Sequence, residues 1–179
     1  EFGLIGDDYR DLYGGVDFIN TLTRLRTPNS VMTLTSRRAA NEFACVATAP
    51  DFALDPLERR FFPFVSADTN PNTAAGLADV RENIIHLHRY MLGADVPEND
   101  PEVERTITLF RSVYAVGQVA LQRGEEGLGL EAHCEGSVDT MPGIDPGRIT
   151  PVLTDDTYGI RAWTAVLTYL AQHPDVLHR

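Results

Sequence analysis

Apolar residues recur every three to four positions in four stretches of the chain, the spacing that gathers them on one face of an α-helix. The first stretch opens at Asn29 or Ser30, either of which offers a side-chain oxygen to the unpaired N–H groups of a first turn. Met32, Ala39, Ala40, Phe43, Val46 and Ala47 trace its face, and Pro50 is expected to close it, which gives a helix near 29–48. The second helix is expected over 73–92, with a seam of Leu77, Val80, Ile84, Leu87 and Met91 and a stop at Gly93. The third starts at Asp100-Pro101, a capping residue followed by proline in the first turn, and covers 101–123. Val103, Ile107, Phe110, Tyr114 and Leu121 mark its face, and Gly117 leaves room for a neighbour to come close. The fourth covers 156–172 and carries Ile160, Trp163, Val166, Leu167 and Leu170, so Trp163 is expected in the core.

The segments between these helices are shorter on pattern. Residues 7–15 read as an acidic turn of helix closed by glycines. Asp55-Pro56-Leu57-Glu58 has the residues of a helix start, but the helix is expected to be short because the aromatic cluster Phe61-Phe62-Pro63-Phe64 follows and is expected to plug the core. Residues 124–151 show neither helical nor strand period and are punctuated by Gly and Pro throughout. The fold class expected is therefore all-α: a bundle or orthogonal array of four main helices with a long irregular loop, in a single domain over 1–179. The opening Glu1-Phe2-Gly3 carries no signal-peptide pattern and is read as the start of a processed or excised part of a longer protein.

Charge narrows the partners. A net charge of −11 disfavours a phosphate backbone or an anionic membrane and suits a cation or a basic protein. The basic residues are all arginine, with no lysine, which fits both Arg–carboxylate pairing and an arginine-rich codon usage. No apolar run is long enough to span a bilayer.

The two cysteines, Cys45 and Cys134, belong to no CxxC or CxxCH motif, which removes a zinc ribbon and covalent haem attachment. Two readings remain, buried free thiols or a disulfide that pins the loop to the first helix; the disulfide Cys45–Cys134 is the one expected, because the loop has too few apolar residues to hold itself down. A link closing about ninety residues contributes roughly 4–5 kcal/mol in the loop-entropy picture, and it requires an oxidising compartment. His86 and His88 are two apart on a helix, hence about 200° apart, and cannot share a metal. His88 borders the apolar seam and is expected as a satisfied core histidine, with His86 exposed. Asp68, Asn70, Asn72 and Asp79 occupy positions one, three, five and twelve of a calcium-loop pattern. Thr73 at position six, Pro71 inside the loop and the short Asp79 depart from it, and Asn72 or Thr73 also reads simply as a helix cap. Asp7, Asp8, Asp11 and Asp17 form a second acidic cluster, read as a solvated turn. No GxSxG elbow, P-loop or GxGxxG is present.

Several segments resemble one family together: Leu12 to Asp17, Thr27 to Cys45, Phe62 to Val65, Ile84 to Gly93, Asp100 to Phe110, and Asp155 to Leu177. The combination is similar to an uncharacterised family of secreted bacterial proteins from proteobacteria and myxobacteria, in which such a helical region often follows segments resembling c-type cytochromes. The resemblance implies a cysteine near each of the two positions here, a periplasmic or secreted setting and a haem-bearing partner or neighbouring domain; it implies no activity. The missing CxxCH puts haem in a partner rather than in this chain. The functional expectation is a non-catalytic accessory or scaffold module of a periplasmic or secreted assembly, with a protein partner, which the family resemblance suggests could be a c-type cytochrome. One alternative is a hydrolase-like enzyme with its site in the 125–150 loop, built on Glu131, His133 or Asp139. The other is a calcium-dependent binding module using Asp68, Asn70, Asn72 and Asp79.

Overall fold

Four amphipathic segments need partners for their apolar faces, and they find them in one another. The computed structural model describes residues 30–124, 129–137, 139, 143 and 145–173. Among these, four α-helices form: α1 (Ser30–Ala53), α2 (Ala74–Leu87, continued by a π-helical turn, His88–Leu92), α3 (Pro101–Gln122) and α4 (Gly159–Ala171). The all-α class follows directly. No strand forms among the described residues; two isolated antiparallel bridges, Gly129 with Thr154 and Gly136 with Val152, are the only sheet-like contacts. The acidic turn at 7–15, the cluster Asp7, Asp8, Asp11 and Asp17, and Asn29 lie outside the described residues.

The most apolar helix, α4, takes the central position and packs chiefly against α1 and α3, with the π-turn of α2 at its side. Its face is the one expected: Ile160, Trp163, Val166, Leu167 and Leu170 are all buried. Trp163 is 1% exposed. Its ring centroid lies 4.5 Å from Phe110 on α3 and 5.2 Å from Phe62, which in turn stacks on Phe52 of α1 at 4.6 Å. One line of aromatic rings thus ties α1, α3, α4 and the segment after α1 into a single core. Of the Phe61–Phe64 cluster only Phe62 is the plug; Phe61 is half-buried and Phe64 is 43% exposed.

Three boundaries differ from expectation. Helix α1 does not stop before Pro50 but runs to Ala53 with Pro50 inside it. An internal proline costs a helix about 3 kcal/mol through its missing N–H and its clash with the preceding turn. Tertiary bonds beyond it hold the last turn. The Asp51 carboxylate accepts the backbone N–H groups of Arg60, Phe61 and Phe62 at 2.8, 3.1 and 2.9 Å. Arg59 donates to the carbonyls of Phe52, Leu54 and Val65, and Thr150 N–H donates to Ala53 O. The second difference is that Asp55-Pro56-Leu57-Glu58 forms a single turn rather than a helix, because Asp55 Oδ1 caps Leu57 N–H and the chain then bends away into the Asp51 bonds. The third is α4, which begins at Gly159 rather than 156. Asp155, 1% exposed, accepts the N–H groups of Ile160 and Arg161, and Tyr158 takes the left-handed conformation (φ 63°) just before the helix. The Tyr158 ring lies over Gly117, where an added Cβ would sit 1.9 Å from it, so the close approach foreseen at Gly117 is made by a side chain.

The buried stripe of α1 is also rotated from the expected one. Ala40, Ala44 and Thr48 are its centre, while Ala39, Phe43, Val46 and Ala47 are half-buried. Thr48 is fully buried because its hydroxyl donates to Ala44 O at 2.7 Å, which satisfies it without leaving the helix.

Candidate functional site

The long connection between α3 and α4 is held to α1 by a covalent bond. Cys45 and Cys134 form a disulfide with their Cα atoms 4.7 Å apart. Cys45 stands on the middle of α1, and Cys134 ends a short 3₁₀ turn, Ala132–Cys134, closed by a 2.7 Å bond from Cys134 N–H to Glu131 O. Two residues on, Gly136 lies flat on the last turns of α1; an added Cβ there would come within 2.4 Å of Ala49 O. Gly136 and Val152 exchange backbone bonds of 2.9 and 2.7 Å, and Leu130 N–H bonds to Leu153 O at 2.9 Å. Ile149 packs on Ala53. Of the apolar loop residues, Leu130 and Ile149 are the ones described in contact with the core; Leu128, Val138, Met141 and Ile144 lie outside the described residues.

His133 and Glu131 project from this turn toward solvent, with side chains 66% and 79% exposed and His133 Nε2 3.4 Å from Glu131 Oε2. Asp139 is also exposed. Among the described residues, Cys45, His133 and Cys134 form the one cluster of three His, Cys, Asp or Glu side chains that could share a metal, their ligand atoms all lying within 4.8 Å of one another.

Of the calcium-loop residues, Asp68, Asn70 and Asn72 lie in the turn before α2 and Asp79 on α2 itself. Asp68 Oδ1 accepts from Ser66 Oγ at 2.6 Å, and Asn70 Oδ1 accepts the Asn72 N–H at 2.9 Å. Thr73 caps α2, its hydroxyl oxygen accepting the Gly76 N–H at 3.0 Å, and Asp79 is exposed on the helix that follows. Gly76 packs against the Asn70 carbonyl, which presses this turn onto the start of α2.

The two helical histidines divide the roles differently from expectation. His86 is half-buried; its Nε2 lies 2.8 Å from Arg60 O, its ring stacks on Tyr90 at 5.8 Å, and Phe64 meets it edge-on at 5.7 Å. His88 is 1% exposed, and its Nε2 has no hydrogen-bond partner in the described structure, so it is a core histidine but not a satisfied one. Burial pushes its imidazole below the ordinary histidine range, against the pull of Glu102 and Asp100. The π-turn that begins at His88 places it inward.

Beside His86 runs a surface groove of about 810 Å³. Phe64, Leu77, Ile85, Val96 and Pro97 supply its apolar lining, and Arg81, Glu82, Arg89 and Glu98 its charges. Arg81 is held by Glu98 O and Glu104, and Arg89 by Asp95 at 2.7 Å. Phe64 and Tyr90, 43% and 48% exposed, flank His86 and continue through Phe61 to Phe43, all linked by ring contacts of 5.5–5.8 Å. Sequence patterning missed this strip, because its members come from three segments: Phe43 and the Phe61–Phe64 cluster read as core, while His86 reads as a lone exposed side chain.

The remaining buried polar groups serve as caps and ties. Burial pushes the carboxyls of Asp51 and Asp155 up from the ordinary range, opposed by the backbone N–H bonds each accepts. Buried Asn83 bridges Phe61 O and Phe64 N–H. Compared with known protein families, characterised proteins and solved structures, the chain matches none. Among the described residues no helix is long and apolar enough to cross a membrane.

Proposed function

We propose that this chain is a non-catalytic binding module of a periplasmic or secreted bacterial assembly, and that it engages a protein partner through the groove beside α2. The observation that carries this reading is the aromatic strip in which exposed Phe64 and Tyr90 flank half-buried His86 beside a groove with an apolar lining, while the buried carboxylates of Asp51 and Asp155 are taken up by backbone N–H groups. Exposed aromatic side chains with neighbouring arginine are the usual anchors of protein interfaces. The net charge of −11 favours a partner of opposite sign. A disulfide joining two distant segments supports an oxidising compartment. The family resemblance suggests that the partner, or a neighbouring domain, is a c-type cytochrome.

The test is crosslinking and affinity capture from the native source with the oxidised chain, set against a Phe64→Ser, Tyr90→Ser double variant. The expected result is one dominant basic partner, lost at least tenfold in the variant while helix content is unchanged. A clean monomer without a partner, or capture that the variant leaves intact, refutes the reading.

A further inference from the structure

We propose that the Cys45–Cys134 disulfide covers a latent metal site: once reduced, the two thiolates join His133 and Glu131 to hold a single zinc-class divalent cation. Three of the four donors come from one short turn, Glu131, His133 and Cys134, and the fourth stands on a rigid helix. This arrangement brings Cys45, Cys134 and His133 together in the folded chain without further closure of a long loop, and Glu131 stands beside His133, where a turn of its exposed side chain completes the set. The atoms of Cys45, Cys134 and His133 already lie within 4.8 Å of one another. His133 Nε2 and Glu131 Oε2 are 3.4 Å apart. Two ligand atoms on a tetrahedral zinc with bonds of about 2.0–2.1 Å are separated by about 3.3 Å, so this spacing matches one edge of such a site. Two sulfurs on zinc need about 3.8 Å between them, which requires the S–S bond to open.

Chemistry selects the cation. Two thiolates, an imidazole and a carboxylate suit zinc and exclude magnesium and calcium, which take oxygen donors. The set carries three negative charges, and a divalent ion leaves one, in a chain whose net charge already draws cations. Cys45 is 9% exposed, so one side of the site is closed to water, while His133 and Glu131 are exposed and free to turn inward.

The redox step balances as a thiol–disulfide exchange. A dithiol reductant gives up two electrons and two protons and closes to its own disulfide; the Cys45–Cys134 bond breaks and both residues end as thiols. Metal binding then releases the two thiol protons, so affinity rises with pH. The oxidised chain has no thiolate to offer, which makes the cystine a gate on the site.

Cobalt(II) is the probe, because its thiolate complexes absorb visibly. The full chain is reduced with a dithiol, separated from it anaerobically and titrated with cobalt(II), with circular dichroism followed in parallel. The expected result is one cobalt per chain with thiolate-to-metal charge transfer, displaced by one equivalent of zinc(II), and none in the oxidised chain. Cys45→Ser abolishes the band. His133→Ala, a change at an exposed position, weakens binding beyond the roughly 10–100-fold that loss of an outer-shell partner costs. If the reduced chain has lost helix, zinc(II) must restore it, since ligand binding and folding are then one event. The absence of a thiolate–cobalt band, a His133→Ala variant that binds as tightly as the parent, or an unfolded reduced chain that zinc leaves unfolded would each overturn the proposal.

Discussion

Two core side chains carry individual consequences that can be measured. Trp163 touches Phe62 and Phe110 and is 1% exposed, so Trp163→Ala empties the centre of the aromatic line. A loss of about 3–5 kcal/mol in denaturant unfolding is expected, and a loss below about 1 kcal/mol would mean that the ring is not the core's keystone. His88 sets a pH dependence. Its folded-state value is lowered by burial, so the unfolded chain takes up a proton at a pH where the folded chain does not. The stability tied to neutral His88 is therefore complete above the unfolded value of about 6.5 and is lost as the pH falls below it. Chemical denaturation between about pH 7 and 5.5 should show falling stability, and His88→Leu should flatten that slope. The Asp51 and Asp155 carboxyls act in the opposite sense: their folded values are raised, so their contribution is full below the ordinary aspartate value and is lost as the pH rises from there through the raised folded values.

At the scale of the element, helix ends explain where sequence patterning succeeded and where it slipped. The starts of α2 and α3 were legible because their caps are local: Thr73 reaches Gly76 N–H and Asp100 reaches Glu102 N–H. The end of α1 was not, because its last turn is held by Arg59 from outside the helix. The Arg59 guanidinium donates to three carbonyls, of Leu54, Val65 and Phe52, at 3.1, 2.9 and 3.2 Å, and lies over the Phe52 ring at 5.3 Å. Arg59→Ala should cost about 2–3 kcal/mol by leaving these carbonyls short of donors. Arg59→Lys should recover less than half of that, because an ammonium is a point donor and cannot span the three oxygens as the planar fork does. Thermal unfolding of the two variants side by side checks this; a lysine variant equal to the parent would show that charge, not the fork, holds the turn.

For the molecule as a whole, the disulfide decides how the α3–α4 connection is held. It joins residues 89 apart in sequence, and closing such a loop in the unfolded chain corresponds to roughly 4–5 kcal/mol. Reduction should lower the melting temperature and open residues 129–152 to proteolysis before the four helices unfold; simultaneous loss of loop and helices would instead make the connection part of the core's cooperative unit. The sequence by itself determined the all-α class, the faces of α2, α3 and α4, the burial of Trp163 and the pairing partners Cys45 and Cys134, because helical periodicity, local caps and an even cysteine count are properties of short segments or of composition. Tertiary structure alone decided the extension of α1 past Pro50, the rotation of its buried stripe onto Thr48, the left-handed Tyr158 seated on Gly117, and the exposed strip from Phe64 to Tyr90. Each of those depends on a contact between residues far apart in the chain, where a hydrogen bond or a ring supplied from elsewhere outweighs the local preference.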